Sequence, residues 1–198
     1  MKLFGALVGV VLLLGCSSAP VTRYYVLSPV VASGTDQALP LTNVALTIRE
    51  IRLPQYLERP QIVTRGGDHQ IQLADDAQWA GNLQQDMTRV LTENLAALLK
   101  SDRIFSAPHN GPLKPDFRLD LEVLRFEQDP ERRVALSVRW WLIRVSDNTL
   151  LEAPSTTLYG PTQDSRSYEA LVASMSTVYG DLARLIARSV RSYAKVAQ

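Results

Sequence analysis

FRLDLEVLRFEQDPERRVALSVRWWL, residues 117–142, is the stretch whose reading decides the fold. Phe117, Leu119, Leu121 and Val123 alternate with Arg118, Asp120 and Glu122, the period of two of a strand with one face on a core. The alternation slips at Leu124 before Phe126, which predicts a β-bulge. Residues 128–132, QDPER, make a turn, and Val134, Leu136, Val138, Trp140 and Leu142 carry the return strand. Two long runs joined by so short a connection predict an antiparallel hairpin. Alternation also sends one ring of Trp140-Trp141 inward and the other outward. The outward ring, taken as Trp141, is a candidate for an interface.

Working downstream, Asp147-Asn148 turn into a further strand from Leu150 to Tyr159, which Gly160-Pro161 stops. Ser167 caps a final helix, with Glu169 well placed in its first turn. Leu171, Met175, Val178, Leu182, Leu185, Ile186 and Tyr193 form its apolar face. Gly180 within it costs about 1 kcal/mol against Ala and marks close packing against a neighbour. Upstream, Asp75-Asp76 open a first long helix ahead of Trp79, with Leu83, Met87, Val90, Leu91, Leu95 and Leu98 on one side. Ser101-Asp102 end it, and 103–106 form a brief strand.

Nearer the N-terminus, Val44, Leu46 and Ile48 alternate with Ala45, Thr47 and Arg49 as a strand. Pro54 and Pro60 bracket a short helical turn before Ile62-Val63-Thr64 resume extended chain. Residues 65–68, RGGD, turn tightly, so Gln70 to Leu73 pair back as a hairpin. Tyr24 to Leu27 have strand composition, and 28–42 read as a loop. The fold class expected is α+β, an antiparallel or mixed β-sheet with two long amphipathic helices packed on it as a two-layer sandwich. Leu91, Leu95, Leu121, Val138, Leu182 and Ile186 should share one core.

The first residues have a different chemistry. Lys2 supplies a positive charge and 3–14 are apolar or small, too short for a membrane span of about 20 residues but right for a secretory signal peptide. Leu13-Leu14-Gly15-Cys16 has the pattern of the bacterial lipobox, in which the cysteine takes up diacylglycerol. Cys16 is the only cysteine of the chain, so no internal disulfide, Cys-based zinc site or Cys nucleophile is expected. Two or more acyl chains on Cys16 would hold the protein to a membrane, where one would not. Ser17 follows, where an Asp would retain the protein at the inner membrane, so the outer membrane, periplasmic face, is expected. The expected organisation is a signal peptide over 1–15, a lipidated N-terminus and short tether over 16–23, and a single periplasmic α+β domain over 24–198.

Charge and motifs narrow the function. The chain has 21 Lys and Arg against 20 Asp and Glu; removing 1–15 takes away Lys2 alone and leaves 20 of each. A nucleic-acid binder shows a clustered basic excess, so none is expected. There is no G-x-S-x-G elbow, P-loop or dinucleotide-binding glycine motif, and no cofactor or metal site is expected. His69 and His109, the only histidines, lie in loop contexts; only a triad built on one of them would make the chain a lipid-anchored periplasmic hydrolase.

Several segments together are familiar: Arg23-Tyr24-Tyr25-Val26-Leu27 after the lipobox, YLERPQIVTR over 56–65, Trp79, and the helix from Asn82 to Leu99. In that order the chain resembles the ABC-type transport auxiliary lipoproteins, over nearly all of the processed chain. The resemblance implies a non-enzymatic, lipid-anchored component of intermembrane lipid transport that supports membrane integrity. Its implied partners are a mammalian-cell-entry (MCE) domain protein anchored in the inner membrane and a permease-type inner-membrane protein. Any ATPase is then a separate subunit, and the anchor fixes this domain where a periplasm-spanning tunnel meets the outer membrane. A pilotin or barrel-plug type of outer-membrane assembly lipoprotein is the alternative binding role.

Two readings of 56–65 stay open. Either Pro54 and Pro60 set a strand entry with Tyr56 and Leu57 packing inward, or Tyr56, Arg59 and Gln61 present a rigid edge to a partner or sister subunit, Tyr and Arg being frequent hot spots. Ring-forming partners favour a cyclic homo-oligomer with that segment or Trp141 at an interface, against a monomer of the same fold.

Overall fold

The chain is described by a computed structural model over residues 21–30, 40–108, 111, 113–163 and 167–196. Its elements are β1 (Arg23–Tyr25), β2 (Leu46–Arg52), a 3-10 turn (Gln55–Leu57), β3 (Gln61–Gly67), β4 (Gln70–Trp79), α1 (Leu83–Leu99), β5 (Ile104–Ser106), β6 (Phe117–Gln128), β7 (Arg133–Arg144), β8 (Thr149–Glu152), β9 (Ser155–Thr162) and α2 (Tyr168–Val196).

β6 and β7 form the predicted hairpin, antiparallel from Phe117↔Arg144 to Gln128↔Val134, with the register shift between Val123 and Arg125. The extra residue is Leu124, which points to solvent. Asp129 fixes the turn by accepting from the Arg133 N–H at 2.8 Å. The free edge of β6 is shared: β2 runs parallel to its first half, and β3 meets it only at Thr64↔Gln128. β5 lies parallel outside β2, β4 antiparallel outside β3, and β1 parallel outside β4. β8 and β9 share the outer edge of β7. The result is one mixed, nine-stranded sheet among the described residues.

Both helices cross this sheet and touch each other, α1 over β2 and β5, α2 over β6, β7 and β9. Leu91, Leu95, Leu121, Val138, Leu182 and Ile186 are all fully buried in one core, as expected. Deleting such a leucine side chain costs roughly 2–5 kcal/mol. Tyr179, absent from the predicted apolar face, is also fully buried. Its ring lies 6.0 Å from that of Phe126, and its hydroxyl donates to the Met87 carbonyl at 3.1 Å.

Several predicted boundaries move, among them the tight turn expected over 65–68, which falls at Asp68-His69 because β3 runs to Gly67. Asp75-Asp76 do not open a helix: β4 continues through them because Ala74, Ala77 and Trp79 face the core, and α1 starts after Asn82, whose side chain accepts from the Gln85 N–H at 3.0 Å. The strand expected over 150–159 is two strands, parted at Ala153-Pro154, where proline removes a ladder donor. Gly160-Pro161 do not stop β9, which runs to Thr162. As an outer strand it tolerates Pro, and Gly160 is needed because a Cβ there would lie 2.7 Å from Ser174 Oγ and 3.0 Å from Val178 Cγ2. β1 ends at Tyr25 rather than Leu27.

The chain after β1 is a strap over both helices. The Leu27 N–H donates to Asp86 Oδ2 at 2.7 Å, Ser28 N–H to Ser176 Oγ at 3.1 Å and Val30 N–H to Asn94 Oδ1 at 2.9 Å. Arg89 closes the set on the Leu27 carbonyl at 2.8 Å. Gly180 permits the approach: a Cβ there would sit 3.0 Å from Val30 Cβ, which is the close packing its sequence position predicted.

Candidate functional site

The segment from Leu53 to Arg65 fills the stretch of β6 edge between the end of β2 and the contact with β3. Pro54 precedes the 3-10 turn with extended backbone, and the Pro60 carbonyl accepts from the Trp79 N–H at 2.7 Å. Leu57 is driven into the core, 2% exposed. Tyr56 then points at Glu127 of β6, donating to its Oε2 at 2.7 Å. Arg65 and Arg125 donate through Nε to Glu127 Oε1 at 2.9 and 2.7 Å, and the Phe126 N–H reaches Oε2 at 3.1 Å.

Glu127 is fully buried. A carboxylate taken out of water costs several kcal/mol unless opposite charge and hydrogen bonds meet it; here four donors do. Burial first, and then the bond to Glu127, push the Tyr56 phenol well above its ordinary range. The most specific run of the sequence is therefore organised around a residue outside it. Glu127 and Arg125 were missed because the bulge at Leu124 breaks the alternation that would show which way they point.

Arg59 behaves differently. It is half-buried, and its Nε is shielded from solvent with no hydrogen-bond partner among the described residues. It lines a cavity of about 210 Å³ with Leu53, Leu57, Glu58, Pro60 and the start of α1. Gln61 pairs across to Gln78 and is half-buried. Trp140 is buried, its Nε1 donating to Glu152 at 3.0 Å. Trp141 lies half-buried on the opposite sheet face, with the Arg52 guanidinium 5.5 Å from its ring centre.

That helix-free face is a lattice of arginines and carboxylates. Arg49 makes a bidentate pair with Asp120 at 2.9 and 3.2 Å, Arg118 lies 3.6 Å from the same carboxylate, and Arg139 faces Glu122 at 3.8 Å. Arg133 stacks 4.8 Å from the Tyr159 ring centre. The structure brings Tyr56, Arg59 and Gln61 into one neighbourhood and places Trp141 apart, on the face Arg52 shares. Leu13, Leu14, Gly15, Cys16, Ser17 and His109 lie outside the described residues. His69 is exposed in the β3–β4 turn. No helix among the described residues is long and apolar enough to cross a membrane.

The family of ABC-type transport auxiliary lipoprotein components matches residues 25–187, from the end of β1 into α2. The chain is 26% identical over 191 residues to the intermembrane transport lipoprotein PqiC of Escherichia coli K12, covering 96% of this chain and 98% of that protein. PqiC of Shigella flexneri matches to the same extent. The crystal structure of XCC0632 from Xanthomonas campestris shares the fold, with a TM-score of 0.74 at 15% identity over 88% of this chain and 99% of that one. By a match spanning most of its length, this chain belongs to the ABC-type transport auxiliary lipoprotein family.

Proposed function

We propose that this chain is a non-enzymatic, lipid-anchored component of an intermembrane lipid transport system. The observation that carries the reading is end-to-end correspondence with the intermembrane transport lipoprotein PqiC, 96% of one chain against 98% of the other. On this reading residues 1–15 are a signal peptide, Cys16 carries the lipid, and 24–198 form one periplasmic domain. Ser17 after the cysteine supports the outer membrane as its destination. The domain docks a tunnel built by an MCE-domain protein, which works with an inner-membrane permease-type protein. It does so as a homo-oligomer matching the symmetry of that tunnel, with the 56–61 segment or Trp141 at the contact.

Within the 56–61 segment the roles divide. Tyr56 spends its hydroxyl on Glu127 and positions the turn. Arg59, whose Nε has no hydrogen-bond partner among the described residues, is the residue assigned to an acidic group of the MCE protein or a sister subunit. Co-purification tests this: the tagged chain should capture the MCE protein of its own cell, and Arg59→Ala should weaken capture about tenfold, the usual scale for a central Arg. Absence of capture by the unaltered chain would sink the docking role. Cys16→Ser should leave an uncleaved or soluble protein; a cleaved, membrane-bound product would overturn the anchor.

A further inference from the structure

Three of the exposed large apolar side chains cluster at the start of the described domain: Val21 is 84% exposed, Tyr24 64% and Val26 52%. They are not a frayed end. β1 is held in register on β4, Tyr24 opposite Gln78 and Tyr25 opposite Trp79, and the Ala80 N–H donates to the Tyr25 carbonyl at 2.8 Å. Immediately afterwards the strap amides are tied to both helices. A rigid backbone thus holds two side chains of one alternation, Tyr24 and Val26, out into solvent. They rim a groove floored by Val172 and Ala173 of α2.

The length of chain ahead of this rim says what covers it. Cys16 and Val21 are five residues apart, at most about 18 Å when fully extended; Tyr24 is at most about 29 Å away. With the acyl chains in a leaflet whose headgroup layer is itself roughly 5–8 Å thick, the rim is the part of the domain nearest the lipid along the chain. Tyrosine, with an apolar ring and a polar tip, is favoured at that depth.

Charge specifies the lipid. Arg23 is neutralised by Asp76 at 2.5 Å. Exposed Asp75, just ahead of the Arg23↔Ala77 pair, and exposed Glu169, which lines the same groove, add negative charge and make no ion pair among the described residues. An anionic surface would be repelled; a zwitterionic one would not.

We propose that Val21, Tyr24 and Val26 form a membrane-facing rim that rests in the zwitterionic headgroup layer of the leaflet holding lipidated Cys16. This rests on the anchor reading above. The full chain, processed in cells and reconstituted in vesicles of phosphatidylethanolamine and phosphatidylcholine, tests it with an environment-sensitive dye on Tyr24→Cys, Val26→Cys or, on β8 at the far edge of the sheet, Leu150→Cys. Nitroxide-bearing lipid should quench the dye at 24 and 26 roughly threefold more than at 150, with little change at about 0.5 M salt because charge does not drive the contact. In a Val21→Cys-labelled chain, Tyr24→Asp with Val26→Asp should lower quenching about twofold while leaving Cys16 acylated. Equal quenching at 24, 26 and 150 on a protein whose mass shows acylated Cys16 overturns the rim alone. A blue-shifted dye that lipid does not quench means a protein strand covers β1, and also overturns it. A mass without acyl groups overturns both the rim and the anchor.

Discussion

The connector from Leu53 to Pro60 and the strap from Val26 to Val30 are both short, proline-bearing segments outside the sheet, and they are held in opposite ways. The connector is held by its side chains: Tyr56 on Glu127, Leu57 in the core, and Arg65 just beyond on the same carboxylate. The strap is held mainly by its backbone, through amides bonded to Asp86, Ser176 and Asn94. A segment fixed by side chains must specify its own residues, so it stands out as a motif. One fixed by its main chain leaves most of its side chains to face outward, and the residues that specify its position sit far away on the helices.

The largest effect that could break this comparison is Glu127→Ala. It strands two guanidinium groups and a phenol, and should cost about 3–5 kcal/mol in denaturant unfolding of residues 17–198. A loss below about 1 kcal/mol would mean that the connector is not held by this carboxylate. Asp86→Ala should come next, at about 1.5–3 kcal/mol, since it removes a charged acceptor from the Leu27 amide and from Arg89. Hydrogen exchange should then accelerate at residues 27–30 before any change near Tyr56. Equal acceleration in both places would erase the distinction between the segments.

Tyr56→Phe should cost about 1 kcal/mol near neutrality and sharpen the contrast through pH. Burial and Glu127 raise the Tyr56 phenol above its unfolded value, so the folded state keeps a proton that the unfolded chain has lost. That contribution is fully present below about pH 10 and is lost as pH rises through the folded pKa. Unfolding free energy should therefore decline less steeply above about pH 10 in Tyr56→Phe than in the parent; identical slopes would refute the coupling. Tyr179 is raised in the same direction by burial, so a residual slope remains. The smallest effect is expected for Gly180→Ala. A helix-propensity gain of about 1 kcal/mol is offset by crowding of Val30, leaving stability nearly unchanged while exchange quickens at the Val30 amide alone.

Legibility in the sequence followed the same physics. The β6–β7 hairpin and its bulge were readable because each residue from Phe117 to Val123 obeys one local period, and the helices because Leu91 and Leu182 belong to long stripes. Asp75-Asp76 misled because two acidic residues near an apolar run are also a helix-start signal. Pairing of the flanking residues, Leu73 and Gln78 with β3 and Ala77 to Trp79 with the distant β1, keeps them in a strand. The parallel placement of β2 beside β6 is likewise set by chain far away in sequence. At the candidate site, YLERPQIVTR was visible as a unit, yet its purpose depended on Glu127, more than sixty residues on. Asp86 and Asn94 lie within α1, and their amide partners at Leu27 and Val30 could not be seen without the fold.

The strap also has a mechanical meaning. On the proposed anchor at Cys16, every tug would reach the described domain at Val21, and the first thing in the line of force would be β1, only three residues long. If those pairs part, the load passes to the amides of Leu27, Ser28 and Val30 and is divided between two helices. The long ladder of β6 and β7 comes last. Like the sleeve where a cable enters its housing, the strap acts as strain relief, so that a drifting membrane can give up three residue pairs without opening the core.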